Sequence, residues 1–487
     1  MKWPAGPLEI RLREGAGTLT SETRQLLTDW EKPEALDFLR GSPINSLVVT
    51  WAAGRPEDAQ QQRALRELIQ AGSKSGLSCF GLVEGSADLV AAAAEAHKCG
   101  LKALIVEQIP EKELPCEVVA SSKSPSVHRG RAGVAQLIRG CKWPEVKSSV
   151  ADNDMAEAGP TGLPWLDSNG WLIRLAQAVG GRETRVWIEA EPKPRLALTG
   201  QAYARAVADS AAFGGQWLIS LDQSLRSGLR NRENAALETW REIGEQVEFF
   251  RRHSEWQSFQ AIAELGVLSD FSGDNEFLST EFLNLAGRRF LPFQIVEKAA
   301  VKTDWSSLKA ILCIDQGRLE EELRTKLIGF ANSGGLVIVP SHWKNLPLGT
   351  RLESPVSRFE VWQMGQGRVA AGREAWEDPY LLEVDTHLLV SHRHDPFRIW
   401  NPATVGAFFT ASTDRARCVL HLVNYSSSAQ PPSTRISVWL QGDWPSARLW
   451  SAGRAEPTSL KGVSERGGRE FHLPPLTAYA AIEAEAS

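Results

Sequence analysis

The stretch RVWIEAEPKPRLALTGQAYARAVADSAAFGGQWLISLD, residues 185–222, decides the fold, because it holds two successive strand-then-helix units whose strands both run into acid. Val186, Trp187 and Ile188 form a short apolar run that leads into Glu189 and Glu191, and Pro192 stops it. A helical stretch, TGQAYARAVADSAAFGG, follows, and the next strand, QWLISLD, ends at Asp222. In a parallel α/β sheet, ligands and catalysis sit outside the carboxyl ends of the strands, so acids placed there are candidates for chemistry. The same positions also suit helix N-caps and solvated loops, and that reading stands beside the first.

Outward from this stretch, short apolar runs alternate with helical patterns back to the N-terminus. Strands are predicted at 8–12, 46–51, 77–83, 103–106, 117–120, 134–138, 185–188 and 216–221, and an amphipathic helix at 233–252 follows the last. Two of the intervening stretches, EDAQQQRALRELIQAGSKSG and SADLVAAAAEAHKCG, close on Gly as helix C-caps do. Eight β/α repeats in roughly 250 residues are the size and order of a TIM barrel. An open doubly wound sheet is the alternative if the weak strands at 8–12 and 134–138 fail. The loop 141–162 is long, polar and poor in helix signals, as functional loops often are.

Toward the C-terminus, residues 258–373 form a second α/β pattern, with strands at 262–268, 293–296, 310–314 and 336–339 and helices at NEFLSTEFLNLAGRRF and RLEEELRTKLIGFANSGG. This is a flavodoxin-like or glutamine-amidotransferase-like arrangement. Cys313 lies in ILCIDQG, which lacks a Gly-x-Cys-x-Gly nucleophile turn, so a structural role is expected for the domain. From 374 to 487 the helical period gives way to alternating runs, RCVLHLVNY, TRISVWL, SARLWSA, REFHL and AYAAIEA, separated by turns such as QPPS and GDWPS. A small β-sandwich is the expectation. The predicted domains are therefore 1–257, 258–373 and 374–487, an α/β chain with a (β/α)8 TIM barrel first.

The 487 residues carry a formal net charge of −5 and a pI near 6.1, so no broad basic surface invites nucleic acid or an anionic membrane. No apolar run approaches the roughly 20 residues that a membrane-spanning helix needs. MKWPAGPLEIRLREG lacks an apolar h-region, so no signal peptide is expected in it, and the compartment is left open between secreted or periplasmic and cytoplasmic. The six cysteines show neither CxxC nor metal spacing, and Cys79, Cys313 and Cys418 lie in apolar runs where core thiols are common.

The order of a barrel, an amidotransferase-like α/β domain and a β-sandwich resembles that of bacterial glycoside hydrolases akin to the family 42 β-galactosidases. The segments that carry the resemblance are YARAVADSAAFGGQWLISLD, IAELGVLSDFSGDNEF, AILCIDQGRLEEELRTKLIGFANSGGLVIVP, VLHLVNY and LPPLTAYAAIE. The resemblance implies a glycosidase acting on an oligosaccharide or glycoside without a cofactor, and oligomerisation through the middle domain. It also implies a general acid/base after barrel strand four and a nucleophile after strand seven. By the strand count these positions are Glu107 and the pair Glu189 and Glu191, although Val106 stands where that clan places an Asn. A catalytically inactive barrel that binds glycans, or serves as a scaffold, is the alternative.

Retaining hydrolysis needs carboxyl groups about 5–5.5 Å apart and inversion about 6.5–9.5 Å. Glu191, one step beyond strand seven, is the first candidate nucleophile; Glu189 shares its parity and serves as nucleophile or as a supporting acceptor, unless Lys193 or Arg195 merely pairs with one of them. Glu107 is the candidate acid/base, in an acid-rich loop where a solvated role is the competing reading. Tryptophan is abundant, 18 residues against 4 Tyr, and indole faces suit sugar rings as well as cores. Trp51, Trp143, Trp165 and Trp171, with Asp167, Asn169 and Asp222, are therefore candidate substrate contacts. Asp222 alternatively pairs with Arg226, and the loop PWLDSNGW alternatively caps the helix after it. His128 and Arg129 fall in the loop after strand five. The HRHD run at 392–395 places His392 and His394 on one strand face without further ligands, and no metal is expected.

Overall fold

The computed structural model describes residues 1–129, 133–146, 165–192, 197–300, 304–317, 319–343, 349–392, 395–426 and 435–486. These fall into two compact units. The first comprises Met1–Pro144 and Val179–His253, and the second Glu145–Ala178 and Ser254–Ser487. The predicted barrel range 1–257 thus differs from the first unit chiefly in Glu145–Ala178, which compacts with the second.

The first unit is an eight-stranded, all-parallel sheet taken in strict chain order: Lys2–Trp3, Ser46–Ala52, Ser78–Val83, Ala103–Val106, Glu117–Lys123, Gln136–Arg139, Val186–Ile188 and Gln216–Trp217. The sheet curls until its edges meet, where Lys2 N donates to Ile219 O at 2.9 Å, closing the barrel. Helices cross between most successive strands, while among the described residues strand four joins strand five, and strand five joins strand six, without one; sequential parallel order with crossovers of fixed hand is compatible with this closed shape.

Strand four, ALIV, is buried at every residue, as a strand covered on both faces must be. Val48, Phe80, Leu82, Ile105, Val119, Leu137 and Leu218 form one apolar cluster with Trp187 against it. The helices around the sheet are closed by local chemistry. Asp88 and Thr199 accept from backbone N–H groups at helix starts, and Gly100, at φ 87°, takes the left-handed cap that ends Leu89–Cys99.

One strand prediction is corrected. Residues 8–12 are not a strand but lie within the helix Pro7–Gly15, started by a proline in its first turn. The true first strand is the two-residue Lys2–Trp3, so the count of eight survives and strands four and seven keep their numbers.

The second unit contains a seven-stranded sheet, a six-stranded and a four-stranded antiparallel sheet, and a two-stranded antiparallel ladder of Glu145–Val146 with Leu166–Asp167. In the first, Phe293–Glu297, Leu265–Ser269, Ala310–Cys313, Leu336–Val339 and Gly367–Gly372 run parallel in that spatial order, and Phe359–Met364 and Arg351–Leu352 extend it antiparallel. The six-stranded and four-stranded sheets share a core of Phe409, Leu420, Leu422, Val438, Leu440, Phe471 and Ile482. The short strand Gln260–Ala261, preceding the α/β segment, pairs with Val405–Ala411 in the six-stranded sheet. The cysteines are all free, and five of the six are buried. No helix among the described residues is long and apolar enough to cross a membrane.

Candidate active site

Five charged side chains from four barrel strands meet at the carboxyl end of the barrel. Glu84 follows strand three, Arg139 ends strand six, Glu189 and Glu191 follow strand seven, and Lys2 comes from strand one. Arg139 Nη2 lies 2.5 Å from Glu84, and its Nε donates to Glu189 Oε2 at 2.9 Å. The other Glu189 oxygen receives Lys2 Nζ at 2.5 Å, and Lys2 also pairs with Glu191. The result is one chain of alternating charge, Glu84, Arg139, Glu189, Lys2, Glu191.

Its members differ in access to water. The Glu189 side chain is 3% exposed and the Glu191 side chain 58%, so the same ammonium joins a buried carboxylate to one facing solvent. Burial alone would lower Lys2, but the charges of Glu191 and Glu189 hold it above its ordinary value. Burial likewise works against Arg139, and Glu189 and Glu84 more than reverse it. At Glu191 burial raises the carboxyl, yet the charge and hydrogen bond of Lys2, with Arg13 and Arg226 behind it, leave it below the usual carboxylate value.

A second arc lies beside the first. Glu9 accepts from Arg13 Nε at 2.9 Å and from the Thr50 hydroxyl at 3.3 Å. Arg226 is buried, and burial together with Arg13 pushes it below the ordinary guanidinium value. Acids Glu9, Glu84, Glu189 and Glu191 thus stand among bases Lys2, Arg13, Arg139 and Arg226. This balance suits a neutral polyol, which needs donors and acceptors together, better than a phosphate or a carboxylate.

Sequence reasoning found Glu189 and Glu191 and missed Lys2, Glu84 and Arg139. Glu84 had a signal: FGLVEG ends a strand in acid just as RVWIEAE does. Lys2 had none, since a two-residue strand shows no period. Glu107 is exposed, directly after strand four. Lys193 and Arg195, named above as alternative partners, lie outside the described residues, as does 147–162 of the long loop.

Three candidate contacts are corrected. Trp51 is wholly buried, and its indole donates to Ala92 O at 3.1 Å, because strand two runs on to Ala52 and the pleat turns Trp51 toward the helix Leu89–Cys99. Trp143 is 7% exposed and packs edge-on against Tyr203 and Trp217. Asp222 caps the helix Gln223–Arg230 through Leu225 N at 3.0 Å, and its other oxygen accepts the Tyr203 hydroxyl at 2.9 Å and Leu198 N at 3.3 Å. A carboxylate so occupied is a structural cap.

Trp165, Asp167, Asn169 and Trp171 belong to the second unit. There Asp167 lies opposite Glu145 in a two-strand ladder, and the guanidinium of Arg288 sits 3.6 Å over the Trp165 ring. Asn169 is buried, and its carbonyl accepts from Leu172 and Ile173 at the start of the helix Gly170–Gly180. Trp171 is half-buried. Asn275 is the N-cap residue of the helix Glu276–Arg288, but its side-chain amide donates to the Asp270 carboxylate rather than capping the helix.

No family model matches the chain, and no curated protein matches it by sequence. Among solved structures it is similar to α-L-fucosidase isoenzyme 2 from Paenibacillus thiaminolyticus, with 12% identity, a TM-score of 0.60, and coverage of 93% of this chain and 96% of that one. It is also similar to a rhamnosidase from Novosphingobium sp. PP1Y, with 13% identity and a TM-score of 0.47 over 88% of this chain and 40% of that one. A β-galactosidase from Bacillus circulans sp. alkalophilus follows, with 9% identity and a TM-score of 0.41 over 88% and 68%. The chain therefore has a glycoside-hydrolase-like fold, a barrel followed by further domains, shared over nearly its whole length with the fucosidase.

Proposed function

We propose that the protein is a glycosidase whose reaction takes place at the barrel mouth, with Glu191 as nucleophile, Glu107 as general acid/base and Glu189 as the group that positions Glu191 through Lys2. The observation that carries this reading is the pairing of a buried with an exposed carboxylate on one ammonium. Glu191 presents an exposed carboxylate, held below the usual value, at a strand end where barrel enzymes keep their chemistry. Attack by that carboxylate on an anomeric carbon forms a glycosyl ester while the proton of Glu107 goes to the departing oxygen; water, deprotonated by Glu107, then releases the sugar. Lys2 keeps the attacking oxygen oriented, and Arg139 keeps Glu189 oriented in turn.

The alternative is a barrel that binds glycans without cleaving them. It is favoured by Glu189, whose two oxygens are both taken by cations, so that strand seven's buried acid is committed to an ion pair. Hydrolysis of a panel of aryl glycosides, fucosides and galactosides among them, decides the matter. Turnover by the wild type, reduced roughly 10³-fold or more in Glu191→Gln and in Glu107→Gln, is the expected result. Equal rates in the wild type and Glu191→Gln remove Glu191 from the reaction, and binding of a sugar without any turnover selects the alternative.

A further inference from the structure

A second cluster of ligating side chains lies in the second unit, where the helix Pro379–Val390 turns into the strand Phe397–Trp400. Glu383 and His387 are one helical turn apart on one face, and the chain then folds back to set His392 and Asp395 against them. His387 Nδ1 lies 3.7 Å from Glu383 Oε1, and its Nε2 lies 3.5 Å from Asp395 Oδ1. His392 Nδ1 is 2.9 Å from Asp395 Oδ2, and the two imidazole centroids are 4.1 Å apart. One ligand atom from each of His387, His392 and Asp395 falls within 4.8 Å of the others.

We propose that His387, His392 and Asp395 form a binding site for a divalent transition-metal ion of the zinc class, with Glu383 orienting His387. The separation of 3.5 Å between His387 Nε2 and Asp395 Oδ1 is too long for a hydrogen bond. It matches two ligands sharing an ion: bonds of about 2.0–2.1 Å in tetrahedral geometry put neighbouring donor atoms about 3.4 Å apart. The rest of the cluster is left incomplete without an ion. His387 Nε2 is buried with no hydrogen-bond partner, while the buried Glu383 carboxylate meets the Arg289 guanidinium.

Glu383 lies 3.7 Å from the far nitrogen and orients the His387 ring through its charge, as carboxylates behind metal-bound imidazoles do. Arg289 pairs with Glu383, and Arg398 Nε stands 3.6 Å from Asp395 Oδ2, leaving Oδ1 for the ion. Each imidazole ligates through a lone pair, so any proton it carries leaves to solvent. The His392 side chain is 62% exposed, which gives the ion an entry path and a water as fourth ligand. The neighbouring guanidinium groups weaken the site relative to a closed structural one. The sequence had paired His392 with His394, which lies outside the described residues; the partners assigned here come from the preceding helix and from Asp395.

The full-length protein, stripped with a chelator and titrated with Co²⁺, tests the site. One equivalent is expected to bind with the strong visible absorption of four-coordinate Co²⁺ and to be displaced by Zn²⁺. His392→Ala, which removes a largely exposed ring, should retain the far-UV spectrum and lose at least ten-fold in affinity; Asp395→Asn should lose as much. No stoichiometric binding by the wild type, or binding unchanged in His392→Ala, would overturn the assignment.

Discussion

Lys2 Nζ stands 2.5 Å from Glu189 Oε1, so an ion pair reaches from the first barrel strand to the seventh, over the eighth strand between them. Lys2→Met leaves Glu189 buried with one cation in place of two. We expect a loss of roughly 2–3 kcal/mol in urea unfolding. In a double-mutant cycle with Glu189→Gln, the two losses should fall short of adding by about 1 kcal/mol or more.

Glu191 shares that ammonium from the solvent side, and its loss should register differently. Glu191→Gln is expected to change unfolding free energy by no more than about 1 kcal/mol, because exposed pairs contribute little. Glu189→Gln should cost more stability than Glu191→Gln. Thermal scans on the two variants, run beside the glycoside assay, separate damage to the scaffold from damage to the chemistry.

Trp51 provides a contrasting control. Trp51→Ala removes a fully buried indole and its bond to Ala92 O, and about 3–5 kcal/mol should be lost. Trp51→Phe should lose less and leave KM for any glycoside unchanged. A raised KM with unaltered stability would return Trp51 to the ligand site.

Acid should weaken the second unit through His421. This imidazole is fully buried against the Tyr479 hydroxyl at 2.7 Å, and burial lowers it from 6.5 to about 3. A group depressed in this way stays neutral in the folded chain while the unfolded chain takes up a proton below about pH 6.5. The unfolded state then binds more protons, so stability falls as pH drops from about 6.5 toward 3 and is retained above that window. Melting temperatures measured across this window should decline, and His421→Gln should flatten the decline.

The sequence carried the barrel well because most of its strands are apolar runs, as ALIV at 103–106 is after the glycine-capped helix Leu89–Cys99, and such runs need no tertiary knowledge to read. It failed at residues 8–12, where LEIRL alternates like a strand but follows Pro7, which starts a helix. The true strand, Lys2–Trp3, is too short to show any period. At the site, the acids after strand seven were legible from position alone. Their cationic partners were not, because Arg139 meets them through the pairing of strands six and seven and Lys2 only through closure of the sheet. Asp222 reads the same way in sequence as Glu189, and only the Tyr203 hydroxyl and Leu225 N distinguish a cap from a rim acid.

The pairing of Gln260–Ala261 with Val405–Ala411 has a bearing on how the polypeptide is made. One edge of the six-stranded sheet leaves the ribosome well over a hundred residues before the strand it joins. During synthesis the intervening α/β segment is free to fold as a closed excursion while that edge waits for its neighbour. A gene cut at residue 374 would therefore strand Gln260–Ala261 on the wrong fragment, whereas excising the excursion and rejoining its ends would keep the ladder within one product.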